Sequence, residues 1–320
     1  MAGLMSPLPR LQDQPYVLLT LTSLFWAGNA VVGRAIVAEI PPVMLAQIRW
    51  SLAFMLVIPF AWSRVREELP VVRRHIGVIA LLSVTGITAF NTLQYWSLQY
   101  TTATNVSVMQ STAPLLIGLW SWVLWRDPLT RGQLAGVLAS LTGVLLIISG
   151  GEPARLASLT LNVGDVAILV AIAIYALYSA LLRQRPGIAP ISFLAITMGI
   201  GAVLLVPLSV AEYALGARIE RMSAGGFAAL GYVAIFPSIL SYMFFNRGVQ
   251  LIGANRAGPF FHLIPLFGSV LAMIFLGERP GWHHLIGAIL IIGGVFVAGR
   301  KPPPQGGGVR NRVAVRQRSP

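Results

Sequence analysis

Polar side chains inside long apolar runs are where this chain could do chemistry, because a polar group facing hydrocarbon is costly and turns inward instead. Asn91 and Tyr95 lie one helical turn apart, hence on one face. Sliding the sequence along itself by 151 residues places Tyr242 and Asn246 on that pair, with its members exchanged. The same offset puts Pro114 on Pro265, Gln110 on Phe261 and Ser111 on His262. A proline cannot bond the carbonyl four residues earlier, so Pro114 and Pro265 free the carbonyls of Gln110 and Phe261 and mark kinks or gates. At an offset of 149, Tyr175 falls on Trp26 and Tyr178 on Asn29, and all four are aromatic or amide groups at mid-run rather than at an interface. Arg49 sits about 9 Å into its run at 1.5 Å per residue, with no carboxylate near it in sequence. It is expected to cap a helix C-terminus, with snorkelling or an anionic partner as alternatives. Amides, phenols, an indole and one guanidinium suit reversible binding of a small amphiphile. They do not suit bond cleavage, which needs paired acids, a histidine pair or an activated nucleophile.

These residues need apolar helices to position them. Of 320 residues, 56% are hydrophobic and 10% charged, against about a quarter charged in a soluble domain. Ten runs are long enough to cross a bilayer: Tyr16–Ala38, Val43–Trp62, Ile76–Leu98, Thr104–Trp125, Gln133–Ser149, Gly164–Gln184, Ile191–Tyr213, Gly225–Arg247, Ala254–Leu276 and Trp282–Arg300. Hydrocarbon leaves backbone groups no outside partner, so the runs are helical, and the alternating polarity of a barrel is absent. The 151-residue offset also aligns Leu134 with Leu285, Gly136 with Gly287, Gly143 with Gly294 and Asp127 with Glu278, which indicates an internal duplication. Five runs per copy force the copies into opposite orientations. The expected fold is therefore an all-α integral membrane protein of ten transmembrane helices, arranged as two inverted five-helix repeats around a central cavity.

Residues 1–15 are read as a cytoplasmic N-terminus, 16–149 and 164–300 as the repeats, 150–163 as an external linker, and 301–320 as a disordered basic tail. The net charge of +13 comes from loops and the tail. Fifteen Lys and Arg residues fall at the end carrying both termini and four at the other, which orients both termini to the cytoplasm. Positive charge beside membrane runs is a topology signal, so nucleic acid is not an expected partner. The bilayer and a small-molecule substrate are, and no obligatory protein partner is implied. No cleavable signal peptide is read at the N-terminus. There is no cysteine, no phosphate-binding glycine loop, no metal-ligand cluster and no serine elbow, so no cofactor, metal or catalytic residue is assigned.

The Trp26-Ala27-Gly28-Asn29 stretch, Arg49, the mid-run Pro114 and Pro265, and the Gly277-Glu278 turn together resemble the EamA-type family of the drug/metabolite transporter superfamily. The resemblance spans residues 16–300 and is greatest to bacterial exporters of amino acids, including aromatic ones. Arg126-Asp127 departs from the family's Gly-Glu turn in the first half. The resemblance implies two inverted five-helix repeats, a central cavity and a bacterial inner-membrane location. The expected function is thus a secondary transporter exporting small amphiphilic metabolites, foremost amino acids, by alternating access. Export of nucleosides, vitamins or cationic compounds is the alternative, and an intramembrane lipid-modifying enzyme or a passive channel is the rival of another class. The expected substrate-binding residues are Trp26, Asn29, Arg49, Asn91, Tyr95, Gln110, Tyr175, Tyr178, Tyr242, Asn246, Phe261 and His262. As a cavity-lining side chain, Tyr242 is expected to tolerate truncation with modest loss of folded protein. No carboxylate lies mid-run, and His262 is the one candidate proton carrier, so movement down the substrate gradient is expected.

Overall fold

The computed structural model describes residues 10–36, 39–219, 222–276 and 279–300. Among these the chain is helical throughout, with no strand. The long helices are α1 (Pro15–Ile36), α2 (Pro42–Glu67), α3 (Ile76–Ser97), α4 (Asn105–Trp125), α5 (Arg131–Ile148), α6 (Val163–Gln184), α7 (Pro190–Ala214), α8 (Ala224–Ile252), α9 (Ala254–Phe275) and α10 (Trp282–Gly299). By length and composition, nine helices among the described residues, α2 to α10, can cross a membrane. Their outer faces carry Phe60, Val203, Phe275, Leu285 and Phe296, all exposed, as a surface in contact with lipid requires. The expected basic tail and the Gly277-Glu278 turn lie outside the described residues.

Local sequence sets the helix ends. Proline opens α2 and α7, where the missing N–H is no loss. Thr130 with Gln133, and Asn162 with Asp165, form capping boxes at α5 and α6. Arg126, in the left-handed conformation at φ 54°, ends α4, and Gly253 at φ 82° ends α8. α2 runs five residues past the expected Trp62, because the helix carries Arg64 and Arg66 beyond its apolar part. Short helices at Leu69–Arg74 and Pro153–Ala157 occupy stretches read as loops.

The helices pair in a pattern that maps onto itself when the halves are exchanged. α5 packs on α10 and α2 on α7, while α1 lies against α8 and α9 just as α6 lies against α3 and α4. Small residues make the closest approaches, as expected where packing rather than water drives helix association. A Cβ placed on Gly136 would fall 2.5 Å from the carbonyl oxygen of Gly294, and one on Gly143 would fall 2.6 Å from that of Gly287. Low numbers in α5 thus meet high numbers in α10, so the two run antiparallel.

α2 and α7 are also antiparallel, and each holds the other's start. Glu212, in the last turn of α7, accepts the N–H groups of Val43 (3.1 Å) and Met44 (2.8 Å) at the head of α2. Glu68, at the foot of α2, accepts the N–H of Ala189 (2.8 Å) at the head of α7. A carboxylate at a helix N-terminus meets both orphan donors and the positive end of the dipole. Glu212→Ala is expected to cost about 1–2 kcal/mol through loss of this cap. That appears as a lower thermal unfolding midpoint in detergent; an unchanged midpoint would contradict the assignment.

Candidate functional site

Two wide turns interrupt the helices that flank the centre. α3 opens into a π-turn at Val84–Thr88 and α8 at Ile235–Leu240, which coincide under the 151-residue offset. Such turns leave carbonyls free for other partners and mark functional positions in helices. Tyr242 donates its hydroxyl to Gly86 O at 2.5 Å, and Trp26 donates Nε1 to Pro237 O at 3.2 Å. Gly86 and Pro237 are themselves equivalent residues of the two halves. The two carbonyls therefore fix an aromatic side chain from each side of the centre.

Arg49 reaches the same level. Its Nε donates to Ser238 Oγ at 2.5 Å and its Nη1 to Tyr95 OH at 2.6 Å, while the guanidinium lies 5.1 Å from the Trp50 ring centre. It is 3% exposed and forms no ion pair among the described residues. The expected helix cap is not what it makes. The π-turn instead aims Ser238 at it, while the Ser238 hydroxyl donates a hydrogen bond to Val233 O at 2.7 Å.

These groups border a central cavity of ≈ 130 Å³. Trp26, Asn29, Arg49, Asn91, Tyr95, Gln110, Tyr175, Tyr242 and Phe261 line it, joined by Phe90, Gln94, Val106, Ile172 and Ile264. Six of its lining side chains are aromatic, and among them Tyr175 meets Trp26 at 5.8 Å and Tyr242 at 6.2 Å between ring centres, both edge to face. Asn29 Oδ1 and Tyr175 OH have no hydrogen-bond partner among the described residues. No carboxylate is in the lining.

Tyr178 and Asn246 do not line this cavity. They form a layer below it, where the Tyr178 hydroxyl donates to Asn246 Oδ1 at 2.7 Å. Asn246 lines a second cavity of ≈ 500 Å³ at the end of the bundle carrying Asp127, Arg183, Arg185 and Gln250. Helical spacing placed both residues inward, but it could not say at which depth.

His262 also lies outside the central cavity, fully buried between α9, α4 and α5. Its Nε2 is 2.9 Å from Ser111 O, which can only accept, so Nε2 carries the proton. Its Nδ1, 2.6 Å from Ser140 Oγ, then accepts from that hydroxyl. Both nitrogens are used in tying helices together. Pro114 and Pro265 follow irregular stretches at Ser111–Thr112 and Gly258–His262. The carbonyls at those breaks are taken up by neighbours, Ser111 O by His262 and Phe260 O by Ser23 Oγ at 2.8 Å.

Ser238, Gly86 and Phe90 escaped the reading of the sequence. Pro237 within an apolar run, aligned with Gly86 in the other half, was the available signal. Among the described residues there is no group of three His, Cys, Asp or Glu that could hold a metal.

Comparison with known proteins accords with this architecture. The chain is 29% identical over 288 residues to the uncharacterized transporter YyaM of Bacillus subtilis, covering 88% of this chain and 92% of that protein. It is 26% identical over 231 residues to a probable terminal-alkyne amino-acid exporter of Streptantibioticus cattleyicolor, covering 71% of this chain and 74% of that one. A solved crystal structure superimposes with a TM-score of 0.72 at 18% identity, covering 89% of this chain and 96% of the other, which shows a shared fold. The model of the EamA-like transporter family matches residues 14–149 and again 162–300, and the chain is a multi-pass membrane protein belonging to that family.

Proposed function

We propose that this protein is a secondary transporter exporting small amphiphilic metabolites, foremost amino acids including aromatic ones, by alternating access. The observation that carries the reading is the pair of cavities separated by one aromatic layer. The central cavity stops at Tyr175, Tyr242 and Phe261, and Tyr178 with Asn246 stands between it and the second cavity. A layer of this thickness opens by small helix movements, and the two π-turns give α3 and α8 places to bend. A central volume of ≈ 130 Å³, below the roughly 300 Å³ where drug-sized pockets begin, suits a metabolite. The exporter of amino acids among the relatives supports the substrate class.

Ten spans in two inverted repeats, residues 16–149 and 164–300 joined by 150–163, are supported by the exchange symmetry of helix pairs, the antiparallel α5 and α10, and the reciprocal caps of Glu68 and Glu212. The bias of basic residues supports a bacterial inner-membrane protein with both termini in the cytoplasm and the second cavity on that side. Reporters at Ser158 and near Arg300 should report opposite compartments; one shared compartment would contradict the topology.

The transport test is counterflow. Proteoliposomes loaded with unlabelled phenylalanine are expected to accumulate the labelled form transiently. A channel equilibrates without such an overshoot, and an enzyme yields a new product; either result would overturn the reading. With no carboxylate in the cavity and His262 engaged on both nitrogens, an imposed pH gradient is expected to drive no accumulation.

A further inference from the structure

The central cavity contains a single ionic group. Arg49 lines it, is 3% exposed and touches only neutral partners, the hydroxyls of Tyr95 and Ser238 and the ring of Trp50. Hydroxyl acceptors orient a guanidinium but do not neutralise it, and a buried cation without a counter-charge is strongly destabilising. Chains that bury arginine for structure pair it with an acid or with several carbonyls. Carboxylates among the described residues serve elsewhere: Glu68 and Glu212 cap helices, Asp165 caps α6, and Asp13 pairs with Arg247. The Arg49 site also has spare donor capacity. Its Nη2 makes no hydrogen bond among the described residues, and Tyr95, which accepts from Arg49, gives its own proton to none of them. Asn29 Oδ1, in the same lining, is an acceptor without a partner among the described residues.

We propose that Arg49, assisted by the Tyr95 hydroxyl, is the anchor for a carboxylate on the transported molecule, so that the substrate class is a carboxylate on an apolar body. This rests on the central cavity being the transport site. A planar guanidinium beside a phenol meets a carboxylate with two or three charge-assisted bonds. The aromatic wall of Trp26, Tyr175, Tyr242 and Phe261 takes the apolar body. Amines that lack the carboxylate bring a second cation to a site with no anion and are excluded, which removes cationic compounds from the substrate range. Two sources share the chemistry. An amino acid adds an ammonium for Asn29 Oδ1 and the ring faces, and moves no net charge. An oxo acid neutralises Arg49 alone, and its export carries one negative charge outward, which the inside-negative potential drives.

The test uses three probes with one benzyl body: L-phenylalanine, phenylpyruvate and phenethylamine. Binding is read as a shift in the thermal unfolding midpoint of the full chain in detergent, and flux in proteoliposomes with a potassium-valinomycin potential. At least one carboxylate probe is expected to raise the midpoint and phenethylamine is not. Arg49→Gln should weaken that binding about 100-fold, the scale of losing a buried charge-assisted pair, and Arg49→Lys should restore part of it. Flux that follows the potential assigns the oxo acid, and flux that ignores it assigns the amino acid. Phenethylamine binding as well as the carboxylates, no binding of either carboxylate, or unchanged binding in Arg49→Gln each overturns the proposal. If Arg49→Gln does not fold, the comparison of probes on the wild-type chain decides alone. Arg49-dependent binding without any flux would instead overturn the transporter reading and leave the anchor standing.

Discussion

Gly136→Val and Gly294→Val are each expected to remove most folded protein from the membrane. The two glycines face one another where α5 crosses α10, and a Cβ on Gly294 would clash with the carbonyl oxygen of Gly136 and lie 2.6 Å from the amide nitrogen of Ser140. Backbone cannot rotate aside as a flexible side chain does, so the helices must separate. Separation forfeits the van der Waals contact that holds transmembrane helices together. Overpacking a close contact costs about 1–3 kcal/mol, and here the second crossing point, at Gly143 and Gly287, is strained by the same displacement. Gly132, with nothing within 4 Å of a built Cβ, supplies the control: Gly132→Val should leave yield unchanged. Folded yield read by fluorescence-detected size exclusion checks all three. Normal yield for Gly136→Val would mean that α5 and α10 do not pack as described.

Tyr242→Ala is expected to lose both transport and stability, the latter by about 3–5 kcal/mol, the range for truncating a buried aromatic side chain. The residue's lining position suggested few packing contacts, but the ring is 3% exposed and stands edge-on to Trp50 at 5.0 Å and close to Trp26, Tyr175 and Tyr178. The informative variant is therefore Tyr242→Phe. It keeps the ring and removes the hydroxyl, whose bond to Gly86 O ties α8 to the π-turn of α3. One buried hydrogen bond is worth about 1 kcal/mol net, so folded yield should hold while counterflow rates change about five-fold. Equal loss of folded protein in Tyr242→Phe and Tyr242→Ala would assign the hydroxyl to packing rather than to the pathway.

Much of this was legible in the residues. Apolar runs and their punctuation gave the helices to within a few positions, because hydrocarbon permits little else. Recurrence at a fixed offset picked out Asn91, Tyr95 and Tyr242, which line one cavity with Trp26 and Tyr175. Depth and partnership were not legible. Tyr178 and Asn246 share the inward face with their neighbours yet lie one layer down, since helical period gives direction but not level. The partner of Arg49, Ser238, is 189 residues away and is aimed by a π-turn that no periodicity announces. His262 was singled out as the histidine within a run, and its two hydrogen bonds, to Ser111 and Ser140, come from helices that only the fold brings to it.

The chain contains no cysteine, so accessibility can be read without background. Gln94→Cys places a thiol in the central cavity and Gln250→Cys one in the second cavity. Each is reacted in oriented membranes with an impermeant maleimide applied from one side at a time, with and without saturating phenylalanine. Alternating access predicts that Gln94→Cys, in the transport site, reacts from either side in turn and is shielded by saturating phenylalanine, whereas Gln250→Cys reacts from the cytoplasm alone. Gln94→Cys reacting from one side only, unshielded by substrate, or Gln250→Cys reacting from both sides, would contradict a carrier with one central site.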